Sequence, residues 1–315
     1  MQWFAQAPSN IALIKYMGKK NSESNTPINA SLSYTLNELL STVTLEHHLG
    51  PKDVWEPLNA PGAEPFLLSN TAQERFLNHL QRLKIWANYS GHFIVRSCNN
   101  FPHSSGLASS ASSFAALTKC AMLALSELTK TPLPHVETQA NLSRVGSGSS
   151  CRSFFTPWAL WKEDGVNAID LPYPKLLHQV IVVSHDVKKV SSSEAHQRIC
   201  TSKLYSTRAQ RAEDNLKVLL NAFETRQWDA AYQVCWREFQ DLHQLFSTCD
   251  SPFSYMTDKS QAALRTLQDL WHREGDGPLV TMDAGPNIHV LYREDQIEMA
   301  LAFKQDYLIG HYDVL

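Results

Sequence analysis

Residues 102–112, PHSSGLASSAS, constrain this chain more than any other segment. A glycine among serines opens directly into an apolar stretch, whose spacing predicts a helix over about 107–128. The first turn of a helix leaves backbone N–H groups without partners and carries roughly half a positive charge. Glycine lets a polyanion approach that backbone, and serine hydroxyls add donors. Such a loop suits phosphate. No Gly-Lys-Ser/Thr follows, as in a Walker loop, and dinucleotide-fingerprint spacing is absent. A serine-capped helix after a glycine turn has the same appearance, so other segments must decide.

The chain has 315 residues, enough for two packed domains of roughly 150 each. Hydrophobic residues make up 43% and charged residues 19%, which supports a sizeable core and argues against global disorder. The net charge of −3 gives no footing for a nucleic-acid or membrane surface, though a local basic pocket stays open. MQWFAQAPSN does not read as a signal peptide, and no apolar run is long enough to span a bilayer. None of the six cysteines forms a CxxC pair, so reduced thiols in a cytoplasmic protein are expected. The 13 histidines show no zinc-site spacing.

The first half reads as strand-rich, with short runs at 3–8, 11–16, 31–36, 40–48 and 91–98. Segment 50–65 holds four prolines and reads as a loop. A helix is predicted over about 71–87, capped by Asn70 or Thr71 with Glu74 in its first turn. Beyond about residue 180 the chain turns helical, with helices expected at about 194–225, 228–247, 257–273 and 294–306. Strands are expected at 180–184, 279–285 and 287–292. Strands and helices do not alternate strictly, so the expectation is α+β with two domains, divided as 1–180 and 181–315.

Four segments carry candidate chemistry. In APSNIALIKYMGKKN, Lys15 and Lys19 flank Tyr16 and could supply cations, or be ordinary solvated lysines. The loop at 102–112 is the second. In GSGSSCRS, Arg152 offers a planar fork for a carboxylate or phosphate, or a surface ion pair. In MDAGPN, Asp283 stands between an apolar strand and a Gly-Pro turn, where an aspartate can equally be a plain turn residue.

Together, NIALIKYMGK, NNFPHSSGLASSAS, GSGSSCRS and MDAGPN resemble the GHMP small-molecule kinase superfamily, most closely its ATP-dependent mevalonate diphosphate decarboxylases. SHDVKKVSSSEA at 184–195 looks like a further family segment, and the similarity spans almost the whole chain in order. The resemblance implies a two-domain GHMP-kinase-like α+β fold with the active cleft between the domains. It implies ATP-dependent phosphorylation of a tertiary alcohol, then loss of phosphate and carbon dioxide to give isopentenyl diphosphate.

On that resemblance, Asp283 matches the catalytic acid group near the hydroxyl, Arg152 the grip on the substrate carboxylate, and Lys15 the cation beside both. Tyr16, Lys19, Ser149 and Ser191 match substrate contacts, with Ser192 the neighbouring alternative to Ser191. Pro102, Ser105, Gly106, Leu107, Ala108, Ser109 and Ser110 would hold the ATP phosphates. Magnesium would ride on the nucleotide with few protein ligands, Ser110 being the one assigned. The adenine pocket would involve residues 70–75 or the loop near Asn99. Homodimers are frequent among similar proteins, and a homodimer is the expectation here.

The chain departs from the family pattern at Met17, where many members carry Trp, at Ala30, where Ser is common, and at His103 and Ser104-Ser105. None removes a charged catalytic group. Alternative readings are a kinase or decarboxylase acting on mevalonate or its 5-monophosphate, and a catalytically silent nucleotide-binding homologue. Asp283, which relatives that only phosphorylate tend to lack, favours the decarboxylase.

Overall fold

The computed structural model describes residues 1–61, 63, 67–101, 109–163, 165–186 and 188–315. The chain opens with strand β1 (Gln2–Ile14), a small antiparallel pair β2 (Lys19–Asn21) and β3 (Thr26–Pro27), and the long strand β4 (Ser31–His48). There follow β5 (Val54–Pro57), helix α1 (Asn70–Trp86), β6 (His92–Asn99), and helices α2 (Ser109–Thr129) and α3 (Val136–Gly146). A 3₁₀ segment at Gly148–Phe154 leads into the hairpin β7 (Trp158–Lys162) and β8 (Gly165–Ile169). The second half runs β9 (Leu176–Val182), α4 (Ser192–Arg198), α5 (Arg208–Glu224), α6 (Trp228–Thr248), α7 (Asp258–Glu274), β10 (Leu279–Thr281), β11 (Ile288–Arg293), α8 (Ile297–Phe303) and β12 (Asp313–Val314).

Two sheets result. In the first, β4 pairs with β1 along one edge; along the other it pairs with β6 over Ser41–His48 and with β7 over Ser31–Tyr34. The second has the order β10-β11-β9-β12. The expected α+β architecture is thus present, with helices packed on both sheets.

β1 shows how the two sheets are tied together. Its first half, QWFAQA, alternates exposed and buried, whereas SNIALI is buried throughout. A strand alternates when one face is wet and runs buried when both faces are covered. Trp3, Ala5 and Ala7 pack with residues of α1, α2 and β6, while Ile11, Leu13 and Ile14 pack with residues of α5, α6, α7 and β11. The same strand therefore enters both cores, and Lys15 emerges from its end where the two halves of the chain meet.

Several expected elements are corrected. The runs at 3–8 and 11–16 form one strand, with a bulge at Pro8/Ser9, and 31–36 and 40–48 likewise merge into β4. The proline-rich loop contains β5, which pairs parallel to β6 and is anchored by the Trp55 indole donating to Ser97 Oγ at 2.9 Å. Ser69 caps α1, accepting from the Ala72 N–H, so the start lies one residue before Asn70 and Glu74 falls beyond the first turn. The helix expected over 194–225 breaks between α4 and α5. There Ser202 Oγ accepts the Leu204 N–H and meets Thr248 Oγ1 at 2.7 Å, a local alternative to helical bonding. The strand expected over 279–285 ends at Thr281, leaving Asp283 in the turn. All six cysteines are unpaired, and no helix among the described residues is long and apolar enough to cross a membrane.

Candidate active site

A cavity of about 460 Å³ lies where the two halves of the chain meet. Lys15, Tyr16, Lys19, Ser149 and Arg152 line it from the first half, and Ser191, Ser192 and Asp283 from the second. Ser109 and Ser110, the first residues of α2, line it as well. Every expected site residue that the structure describes thus faces one space. Pro102, Ser105, Gly106, Leu107 and Ala108 lie outside the described residues, as do His103 and Ser104.

Asp283 is aimed by a turn pinned at several points. The Gly285 N–H donates to the Asp283 carbonyl at 2.8 Å, His243 Nε2 meets the same carbonyl at 3.2 Å, and Lys188 Nζ donates to the Ala284 carbonyl at 2.8 Å. Asn287 Oδ1 accepts the Val183 and Ser184 N–H groups and so ties the turn to the end of β9. Across the cavity, Lys15 Nζ donates to Asp283 Oδ1 at 2.6 Å. Lys15 is 2% exposed and Asp283 28%, and what the aspartate exposes is cavity wall. Burial works to raise the Asp283 pKa. The Lys15 ammonium, helped by His289 and Arg152, outweighs it and holds the carboxyl below the ordinary carboxylate range. For Lys15, burial lowers the pKa and the Asp283 contact pushes back.

The main chain of Lys15 is clamped from below. Its N–H donates to Glu238 Oε1 at 3.0 Å, and its carbonyl accepts from Asn29 Nδ2 at 3.1 Å and Arg208 Nη2 at 3.3 Å. Glu238 and Arg208 form a fully buried ion pair between α6 and α5, and Asn215 Nδ2 donates to Glu238 Oε2 at 2.7 Å.

Arg152 is held from the 3₁₀ segment by Nε donating to Asn10 Oδ1 at 3.1 Å and Nη1 donating to Ser31 Oγ at 2.9 Å. Its guanidinium lies 5.7 Å from the centre of the Trp161 ring. Tyr16 packs on Trp161 at 4.5 Å and on His196 at 4.6 Å. A Cβ on Gly148 would fall 2.6 Å from Tyr16 Cε1. Gly148, the second glycine of the GSGSSCRS run, is therefore where the 3₁₀ segment closes onto this aromatic stack.

Ser191 and Ser192 have structural partners too. Ser191 Oγ caps α4 by accepting the Glu194 N–H, and Ser192 Oγ accepts from Lys188 Nζ at 3.0 Å. Of the two adenine regions considered, 70–75 contributes Ala72 and Arg75 to the cavity, beside Leu68, Phe76 and Phe114. Asn99 is buried instead, its Oδ1 accepting from Ser41 Oγ at 2.6 Å, and it is not part of the cavity wall. Residue-level reading of the sequence missed Lys188 and His196. Lys188 lies in the 184–195 segment, but nothing in its spacing sets it apart from Lys189.

The charged side chains of the wall, among the described residues, are Lys15, Lys19, Arg75, Arg152 and Lys188 against the single acid Asp283. No three His, Cys, Asp or Glu side chains among the described residues converge as a metal site. A cation-lined cavity at a helix start, with Asp283 the one carboxylate among its described lining residues, suits a phosphorylated, anionic ligand.

Comparison with known proteins narrows the class. Residues 7–169 match the family model of the diphosphomevalonate decarboxylase-like N-terminal domain, and residues 179–313 that of the mevalonate 5-diphosphate decarboxylase C-terminal domain. A crystal structure of a mevalonate diphosphate decarboxylase from Legionella pneumophila is 62% identical, with a TM-score of 0.95 over 100% of both chains. A structure of MDDEF in complex with MVAPP, AMPPCP and magnesium is 27% identical, with a TM-score of 0.88 over 100% of this chain and 96% of that one. Diphosphomevalonate decarboxylase mvd1 of Aspergillus fumigatus is 30% identical over 93% of this chain and 77% of its own length. The chain belongs to the diphosphomevalonate decarboxylase family and is an ATP-dependent decarboxylase.

Proposed function

We propose that this enzyme converts mevalonate 5-diphosphate to isopentenyl diphosphate, with Asp283, Lys15 and Arg152 as its catalytic residues. The observation that carries the reading is the 2.6 Å contact between Lys15 and Asp283, made in a cavity whose other charged groups, among the described residues, are all cations.

A tertiary hydroxyl leaves poorly, so it must first receive a phosphoryl group. Asp283, kept ionised beside Lys15, orients that hydroxyl and takes its proton. A carboxylate with a depressed pKa is a weak base, which suffices where the transition state is loose and the proton leaves late. Lys15 offsets charge on the incoming phosphoryl oxygens. Arg152, nearly buried, grips the substrate carboxylate by its free edge. As phosphate and carbon dioxide depart, a carbocation-like centre forms, and Arg152 fixes the line along which the carboxyl group leaves. Tyr16, Lys19, Ser149, Ser191 and Ser192 are assigned to the substrate's diphosphate and hydroxyl contacts.

The ATP phosphates are assigned to Pro102, Ser105, Gly106, Leu107, Ala108, Ser109 and Ser110. The apolar side chains of Leu68, Ala72, Phe76 and Phe114 are assigned to the adenine. One carboxylate and the Ser110 hydroxyl are too few for an all-protein magnesium cage. They fit an ion that keeps its waters and phosphate oxygens, with Ser110 as its protein ligand. The relative bound to AMPPCP and magnesium supports both partners. Chain division at about 180 gives an N-terminal unit with the phosphate loop and a C-terminal unit with the acid. Six unpaired cysteines fit a reducing, cytoplasmic setting.

The test is ATP-dependent carbon dioxide release, measured side by side on mevalonate, its 5-phosphate and its 5-diphosphate. Release from the 5-diphosphate at the highest kcat/KM supports the reading. A phosphorylated product without carbon dioxide, or preference for the 5-phosphate, overturns it.

A further inference from the structure

We propose that His196 is a neutral N–H donor to the substrate's diphosphate group, and one reason the site takes a diphosphate; this rests on the substrate reading above. The Gly18 N–H donates to His196 Nδ1 at 3.0 Å. An imidazole nitrogen that accepts a hydrogen bond carries no proton, so the remaining proton is on Nε2.

The backbone that imposes this tautomer is itself fixed. Gly18 has φ of +102°, and a Cβ there would fall 2.4 Å from Ile28 Cδ1. Only glycine fits such a place. The ring is held as well, packed on Tyr16 at 4.6 Å. His196 is only 9% exposed, yet it forms part of the cavity wall. Nε2 has no hydrogen-bond partner among the described residues, and it is not among the donors sealed in the interior. A donor open to the cavity bonds to whatever fills it, and here that is an anion.

Its neighbours say which anion. Tyr16 stacks on the His196 ring, the Lys19 ammonium is near enough to act on it, and both are among the residues already assigned to the substrate's diphosphate and hydroxyl contacts. Burial, then the Lys19 ammonium, keep the imidazole uncharged, lowering its pKa to about 3. A neutral donor beside Lys19 adds direction to the anion's contacts without bringing a second mutually repelling cation.

The experiment uses the full-length enzyme and two variants. His196→Phe keeps the ring stack and loses the donor; His196→Gln keeps a side-chain N–H near the place of Nε2 and loses the ring. KM is measured for mevalonate 5-diphosphate and for ATP. Binding of inorganic pyrophosphate is titrated calorimetrically with AMPPCP and magnesium saturating, so that the nucleotide site is filled. The expected result for His196→Phe is a rise in substrate KM, and a matching weakening of pyrophosphate binding, of about ten- to a hundred-fold. The KM for ATP stays within about two-fold, and His196→Gln recovers most of the loss. Unchanged substrate KM in His196→Phe overturns the proposal. So does equal impairment of both variants, or a parallel rise in the KM for ATP, either of which marks a merely structural support for the Gly18 turn. Should the wild-type enzyme fail to decarboxylate mevalonate 5-diphosphate, the substrate reading fails, while the pyrophosphate titration still reports on His196.

Discussion

Two charged regions meet at Lys15, and they follow opposite rules. Below it, both carboxylate oxygens of Glu238 are taken, Oε1 by the Lys15 N–H and Arg208, Oε2 by Arg208 and Asn215. Arg208 reaches on to Asp241, which Arg211 also contacts. Above it, among the described residues, five cationic side chains share a cavity with one acid. Balanced charges whose carboxylate oxygens are all hydrogen-bonded hold a shape. An excess of one sign, kept out of bulk water, is costly until a ligand of the other sign arrives. The lower region therefore sets where Lys15 is, and the upper region sets what it acts on.

This contrast can be broken from either side. Asp283→Ala removes the carboxylate of the upper region and should lower kcat by about a hundred- to ten-thousand-fold, with affinity for an ATP analogue held within a few-fold. Single-turnover kinetics with a parallel binding titration read both numbers, and near-normal turnover would falsify the assigned role. Glu238→Gln strikes the lower region. Leaving Arg208 buried without its full partner should cost about 3–5 kcal/mol of unfolding free energy, while the folded fraction keeps its KM for ATP. Urea titration checks the first part. A stability loss under about 1 kcal/mol would mean the pair is not what braces Lys15.

The smallest effect per group is a pH dependence outside the carboxylates. Burial, foremost, lowers the pKa of His79 to about 3, of His196 to about 3 and of His243 to about 4, against 6.5 unfolded. Between those values the unfolded chain takes up protons and the folded chain does not, so stability is full above about pH 6.5 and falls below it. At pH 5.5 the loss is about 1.4 kcal/mol for each of these histidines. Asp283 and Glu238, whose pKa values are depressed, contribute stability that is lost only below the ordinary carboxylate range. Equal urea midpoints at pH 7.5 and 5.5 would contradict the buried-histidine account.

Lys15, Arg152 and Asp283 were legible because each belongs to a segment whose residue types are unusual together, and the four segments appear in one order. Glu238 and Arg208 were not. Each lies in an amphipathic helix rich in charge, where a buried carboxylate and a solvated one look alike until the helices pack. His196 was hidden for a related reason: its meaning depends on Gly18, 178 residues away in sequence. The strand β5 escaped because four prolines argue for a loop, while what makes it a strand is a parallel partner and the Trp55–Ser97 bond. Merged strands such as β4 were read as two because exposed residues at 37 and 38 interrupt the apolar pattern at a bulge.

The unbalanced cavity is the centre of this account, and a crystal structure of the enzyme with mevalonate 5-diphosphate and AMPPCP tests it most directly. The expected complex has the substrate's tertiary hydroxyl within about 3 Å of an Asp283 carboxylate oxygen and its carboxylate on Arg152. A well-ordered substrate whose hydroxyl faces away from Asp283, with Arg152 still bound only to Asn10 and Ser31, would contradict it.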